Sequence, residues 1–408
     1  MHRLIVVWVA PLALIAPLAA AAPEAIAPDE RGAVATLPPV GPHWVWVADM
    51  IFGHNWLFDG DSGEVMGTVS GGTTISPKPP LFSRERGEFY SVEIDYSRGR
   101  RGERTDYVTI YDSVTLDVKS EVILPTRTSE SAASVGYSAL LDGERFLATF
   151  NQFPETSVSI TDLNARGFVG TVGVAGCAGI YPTGATSFAT LCGNGTVMAV
   201  ELDEAGLPAK TTTSLPFFDV LEDPVMMCGG RTGDQWIFTS FHGLAHEVDF
   251  SVTPPSISSW SLVDEGERDD GWRPGGRQLL AVHEELGRLY VIFHQGGEGS
   301  HKDPGPEVWV FDLAKRERVN RIAMPNFTAA FLADSMGMEG DSFSAWLLGT
   351  VLPDSGADTI AVSRDDAPLL FARSSQRGSV AVIDARTGVH LRDLREAGLG
   401  GFRLEVPR

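Results

Sequence analysis

Apolar and polar residues alternate along most of this chain with a period of two, the pattern of strands that turn one face inward. It is plainest in residues 104–125, RTDYVTIYDSVTLDVKSEVILP. Residues 107–111 read as a strand, Asp112 opens a turn, and residues 118–124 read as a second strand that stops at Pro125. β-Branched and aromatic residues on both sides of an acidic turn predict a hairpin. One hairpin is marginal in water, so what matters is that the chain repeats it.

Strand, acidic residue, polar turn and strand recur around Asp59, Asp112, Asp162, Glu201 or Asp203, Asp249, Asp312 and Asp384. Successive intervals run from about 40 to about 70 residues, the size of a four-stranded propeller blade with loops of variable length. Between the repeats stand apolar runs of strand length, FLATFNQF, QWIFTSF, RLYVIFHQ and PLLFARSS, as strands sandwiched between neighbouring blades require. The fold expected is all-β: a seven-bladed β-propeller of four-stranded antiparallel blades over residues 43–408. A sandwich has no need of seven equivalent hairpins. Two stretches break the pattern. Residues 259–277, charged and Gly-rich, read as a short helix and then a tight turn at Pro274-Gly275-Gly276. Residues 327–357, with weak strand signals, read as an insertion on the propeller rim or mouth.

The start of the chain changes the cellular picture. MHR precedes the apolar run LIVVWVAPLALIAPLAA, and small residues follow, so residues 1–22 read as a signal peptide cleaved near residues 20–22. The run is almost long enough to span a bilayer, but Pro11 and Pro17 break it. Residues 23–42, rich in Ala, Pro and acids, read as a flexible N-terminal arm. No later stretch is apolar enough to cross a membrane, so an exported protein is expected. Lys and Arg number 32 against 53 Asp and Glu, a formal charge of -21, which disfavours nucleic acid as a partner.

Export points to an oxidising compartment, in which cysteines pair. Cys177 and Cys192 flank CAGIYPTGATSFATLC, two short strands around a turn, so cross-strand pairing brings their sulfurs within bridging range. Cys228, in VMMCGG, is then left over as a buried thiol.

Catalytic patterns are scarce. His242 and His246, in FHGLAHEV, have helical ligand spacing, but the segment reads as strand, Gly turn and strand, where that spacing does not converge. No Glu follows the first His, no phosphate loop surrounds Gly275, and there is no Gly-x-Ser-x-Gly elbow. The repeated acidic residues are explained by turn chemistry. An exported propeller without a catalytic constellation points to a scaffold or recognition subunit; no metal site is expected in it.

RGRRGERTDYVTIYDSVTLDV, at residues 98–118, resembles the heavy subunit of the quinoprotein amine dehydrogenases, the methylamine and aromatic amine dehydrogenase family. Three further signals agree in order: the pair Cys177 and Cys192, DDGWRPGGRQ at residues 269–278, and the run from RLYVIF through HKDPGPEVWVFD at residues 288–312. The resemblance implies a cofactor-free heavy chain in a periplasmic α2β2 assembly with a disulfide-rich light chain that carries tryptophan tryptophylquinone. It implies oxidation of primary amines to aldehydes and ammonia, with electrons passed to a copper protein or a cytochrome. It also implies a disulfide between Cys177 and Cys192, and a heavy-chain Phe lining the substrate channel. Phe52, in DMIFGHNWLFDG, is the counterpart of that Phe, although this segment is several residues shorter than the family pattern, and a core role for Phe52 is the competing reading. The interval 327–357 is longer than the pattern. A stand-alone exported propeller without a light chain, and a lactonase-type propeller with converging acidic residues, are the alternative readings.

Overall fold

The computed structural model describes residues 36–74, 77–83, 85–130, 136–338, 342–352 and 355–407. The signal-peptide expectation for residues 1–22, and the first part of the arm, lie outside them. The end of the arm lies against the fold: the Leu37 amide donates to the Val114 carbonyl at 2.7 Å, and Leu37 and Val40 pack near Trp44 and Trp46.

Seven antiparallel sheets follow one another in sequence, each built outward from an inner strand. This is the seven-bladed β-propeller of the repeat pattern. In blade 2 the order is Leu81–Ser83, Glu88–Tyr96, Arg104–Asp112, Val118–Leu124. The opening hairpin of the sequence thus forms the third and outer strands of a blade, paired from Asp106 with Leu124 to Tyr111 with Val118, with a register shift between Ile110 and Tyr111. The apolar runs are the second strands. In blade 6 that strand is Arg288–Gln295, and residues 289–293 are fully buried, because neighbouring blades cover both faces. Outer strands such as Ser256–Ser261 in blade 5 are mostly exposed and polar.

All seven repeats close on an Asp. The side-chain oxygen of Asp59, Asp112, Asp162, Asp203, Asp249, Asp312 and Asp384 in each case accepts from a backbone N–H two to four residues on. In the fourth repeat Asp203, not Glu201, holds this place; Glu201 pairs with Lys210 instead. These turns sit on the outer half of each blade, with every carboxylate engaged by its own loop. They do not converge on a common point, so nothing favours the lactonase-type reading.

Three features lie beyond the local pattern. First, blade 1 has strands Trp44–Asp49, His54–Asp59 and Val65–Ser70, and its inner strand comes from the other end of the chain: Leu404 and Glu405 pair with Val47 and Trp46. Second, the inner edges of blades 3 and 6 are split. In blade 6, Trp272–Pro274 and Leu280–His283 both pair with the second strand, so the expected tight turn at residues 274–276 is an interruption in an inner strand. The expected short helix precedes it as α1 (Glu265–Asp269), with a capping box between Asp264 and Glu267. Third, the interval 327–357 contains two helices, α2 (Phe327–Ser335) and α3 (Phe343–Val351), and not weak strands. Their sequences, FTAAFLADS and FSAWLLGTV, are apolar nearly all round, so they show no amphipathic stripe by which a helix is read.

A candidate partner-docking end

In a four-stranded antiparallel blade the turn between strands two and three, and the connection to the next blade, lie at the same end. The Asp turns lie at the other. The end opposite the Asp turns therefore gathers the turn that carries Ile51 and Phe52, the turn 97–103 with Arg98, Arg100 and Arg101, the connection 214–224, and the two-helix insertion.

These segments expose large apolar side chains. Phe52 is 70% exposed and Ile51 61%. Leu215 and Leu221, in SLPFFDVLEDP, stand out at 80% and 88%, and Phe343 and Val351 of α3 at 74% and 72%. Single exposed apolar residues are ordinary; the most exposed ones of the described residues stand at this end, which makes it the candidate surface for a partner. In the sequence Leu215 and Leu221 belong to a mixed apolar and acidic segment, LPFFDVLEDP, at residues 215–224.

Phe52 is held firmly for an exposed residue. The buried Asp49 carboxylate accepts from the amides of Ile51 at 2.8 Å and Phe52 at 3.4 Å, and from Trp56 Nε1 at 3.4 Å. The Phe52 ring stacks on His54, with centroids 6.0 Å apart and planes 21° apart. It is not a core residue.

Cys177 begins the inner strand of blade 4 (Cys177–Gly184) and Cys192 ends its partner (Ser187–Cys192). They are directly opposed in register, with Cα atoms 3.9 Å apart, and form a disulfide. Cys228 is free and buried; burial pushes its thiol up to about 11, so it is inert as a nucleophile. His242 and His246 diverge across the Gly243 turn. His242 is exposed against the Glu222 carbonyl, whereas His246 is buried with Nδ1 2.8 Å from Ser259 Oγ. Among the described residues no group of three or more His, Cys, Asp or Glu gathers where it could hold a metal.

The family model for "Methylamine dehydrogenase heavy chain (MADH)" matches residues 45–332.

The chain belongs to the methylamine dehydrogenase heavy chain family.

The methylamine dehydrogenase heavy chain of Paracoccus versutus is 27% identical over 348 residues, covering 85% of this chain and 74% of that one. The heavy chain of Methylorubrum extorquens is 23% identical over 353 residues, covering 85% and 77%. Solved structures share the fold at low identity. A functionally unknown protein from Desulfotomaculum acetoxidans superposes with a TM-score of 0.54 at 12% identity, covering 90% of this chain and 100% of that one. Dihydro-heme d1 dehydrogenase superposes at 0.51 and 14% identity, covering 88% and 74%. Membership in the heavy-chain family implies a light-chain partner in an amine dehydrogenase complex. The family match stops inside α2, so α3 lies beyond it.

Proposed function

We propose that this chain is the cofactor-free heavy subunit of a periplasmic amine dehydrogenase. The match to the heavy-chain family over residues 45–332 carries the reading, and the exposed apolar end gives it a physical place to act. A light chain docks on that end and carries tryptophan tryptophylquinone, which supplies the amine-oxidising chemistry. This chain supplies no redox group; its residues bind and orient the partner. In the assembled enzyme Phe52, fixed by Asp49 and His54, narrows the approach of the amine. An aromatic at such a mouth sorts primary amines by side-chain size. Electrons leave for a copper protein or a cytochrome. The assembly of the proposal is a periplasmic α2β2 heterotetramer; among the described residues no helix is long and apolar enough to cross a membrane.

The test is purification of the tagged chain from its native host. Co-purification of a small, Cys-rich chain with a quinone absorbance and amine-dependent dye reduction is expected. A colourless chain that comes alone and does not turn over primary amines would overturn the reading and leave the stand-alone propeller.

A further inference from the structure

Inner strands border the central channel of a propeller. The inner strand of blade 5 (Val225–Thr232) starts where the connection 214–224 ends, so Val225 stands at the end opposite the Asp turns. Lys302, in the connection between strands two and three of blade 6, stands at the same end. Between them, at the channel mouth, lies a cavity of about 500 Å3, within the size range that encloses a drug-sized body. Pro224 and Val225 belong to its wall. The connection that carries Leu215 and Leu221, 80% and 88% exposed, therefore runs directly into the cavity, and the two form one continuous surface.

The cavity has an apolar wall and a cationic one. Met226, Met227 and Leu279 supply the first, Arg277 and Lys302 the second, and none of the described residues that line it is acidic. In the whole chain acids outnumber bases 53 to 32, so this charge is local. Arg277 is held in place from both ends. Its amide donates to the Asp358 carbonyl at 2.6 Å, and the preceding Gly276 amide to the His301 carbonyl at 3.2 Å. Its guanidinium carbon stands 3.8 Å from the centroid of the Phe402 ring. The guanidinium has no ion pair or hydrogen bond among the described residues, and its nitrogens are not closed off. A stacked guanidinium with free donors is arranged in advance for a carboxylate. Primary amines are cations near neutral pH, so like charge keeps them out, and the cavity does not serve as their path.

We propose that this cavity anchors the light chain. A light-chain apolar side chain enters among Met226, Met227 and Leu279, and a light-chain carboxylate beside it pairs with Arg277, with Lys302 at the rim. Interfaces concentrate their binding energy in such a pocket filled by one anchor, and Met side chains adapt to the shape they receive. The inference rests on the heavy-subunit reading and names the chemistry by which this chain recognises its partner.

The experiment is expression of the tagged full chain and its variants in the native host lacking its own copy. Subunit dissociation on dilution is then followed by size exclusion with light scattering. Arg277→Glu should weaken the hold on the light chain about thirtyfold or more, and Met226→Trp, which fills the cavity, should weaken it too. Rising salt should loosen the parent complex more than that of Arg277→Gln. Lys302→Glu, at an exposed position, should weaken the complex severalfold and decides the matter if the other variants do not fold. A parent chain that brings no light chain overturns the heavy-subunit reading and the anchor with it. A light chain that accompanies the parent and stays as tightly on Arg277→Glu and Met226→Trp, or on Lys302→Glu where that variant decides, overturns the anchor alone.

Discussion

Arg373 of blade 7 donates from Nη1 to the carbonyl of Ala48 in blade 1 at 2.8 Å, across 325 residues of sequence. Its Nη2 donates to the carbonyls of Ala397 and Gly398 at 3.1 and 2.8 Å. One fully buried guanidinium thus ties the last blade, the first blade and the returning chain. The chain crosses here so tightly that a Cβ at Gly401 would collide with the Ala48 carbonyl oxygen. Arg373→Leu leaves three carbonyls without this donor and should cost about 3–5 kcal/mol. Urea unfolding measures it, and Gly401→Ala should destabilise in the same direction.

The Cys177–Cys192 bridge closes a loop of sequence separation 15, worth about 3 kcal/mol in the chain-entropy model. The double Ser variant should lose stability up to that amount. Thiol titration of the unfolded protein should find one group before reduction, Cys228, and three after it.

Phe52 is fixed by its turn but exposed, so Phe52→Ala should change unfolding free energy by no more than about 0.5 kcal/mol. In the assembled enzyme it should shift the preference between methylamine and bulky aromatic amines. Unchanged kinetics across that series would remove Phe52 from the substrate path.

Glu93, in the second strand of blade 2, is 3% exposed, and its carboxylate oxygens accept from Tyr111 at 3.0 Å and Tyr107 at 3.3 Å. Burial outweighs these bonds and raises the carboxyl from 4.5 to about 7. The folded state therefore holds a proton that the unfolded state has released between those values, and stability contributed by this group falls as pH rises from about 4.5 through 7. Glu93→Gln should be more stable than the parent at pH 8, by about 1–3 kcal/mol, and little different at pH 4. Thermal unfolding at the two pH values checks it.

Glu88 behaves in the opposite sense. Burial works to raise it, but the Arg166 guanidinium of blade 3, the Tyr90 hydroxyl and the Lys119 ammonium prevail and hold it at about 2. The Arg166 pair joins blades 2 and 3. Its stabilisation is present above about 4.5 and is lost as pH falls towards 2. Glu88→Gln should therefore destabilise at pH 7 and have a smaller effect near pH 2, read by the same unfolding experiment.

How much of this was legible beforehand follows the range of the interactions. The hairpins around Asp112 and Asp384 are local: an alternating pattern and an Asp that bonds amides two or three residues on. Seven of them in one chain determined the propeller, and the opposed Cys177 and Cys192 within one hairpin determined the disulfide. The apolar helices α2 and α3 escaped because nine residues without a polar face carry no period.

Only the tertiary structure decided the rest. Leu404 and Glu405 form a strand of two residues, too short for any pattern, and become the inner edge of blade 1 because Trp46 and Val47 offer them an open backbone. Arg403, unremarkable in sequence among 32 basic residues, becomes a buried cation paired with Glu405 because that closure draws it inside. Local chemistry specified the blades; contacts between residues hundreds of positions apart specified how the ring closes and what its centre holds.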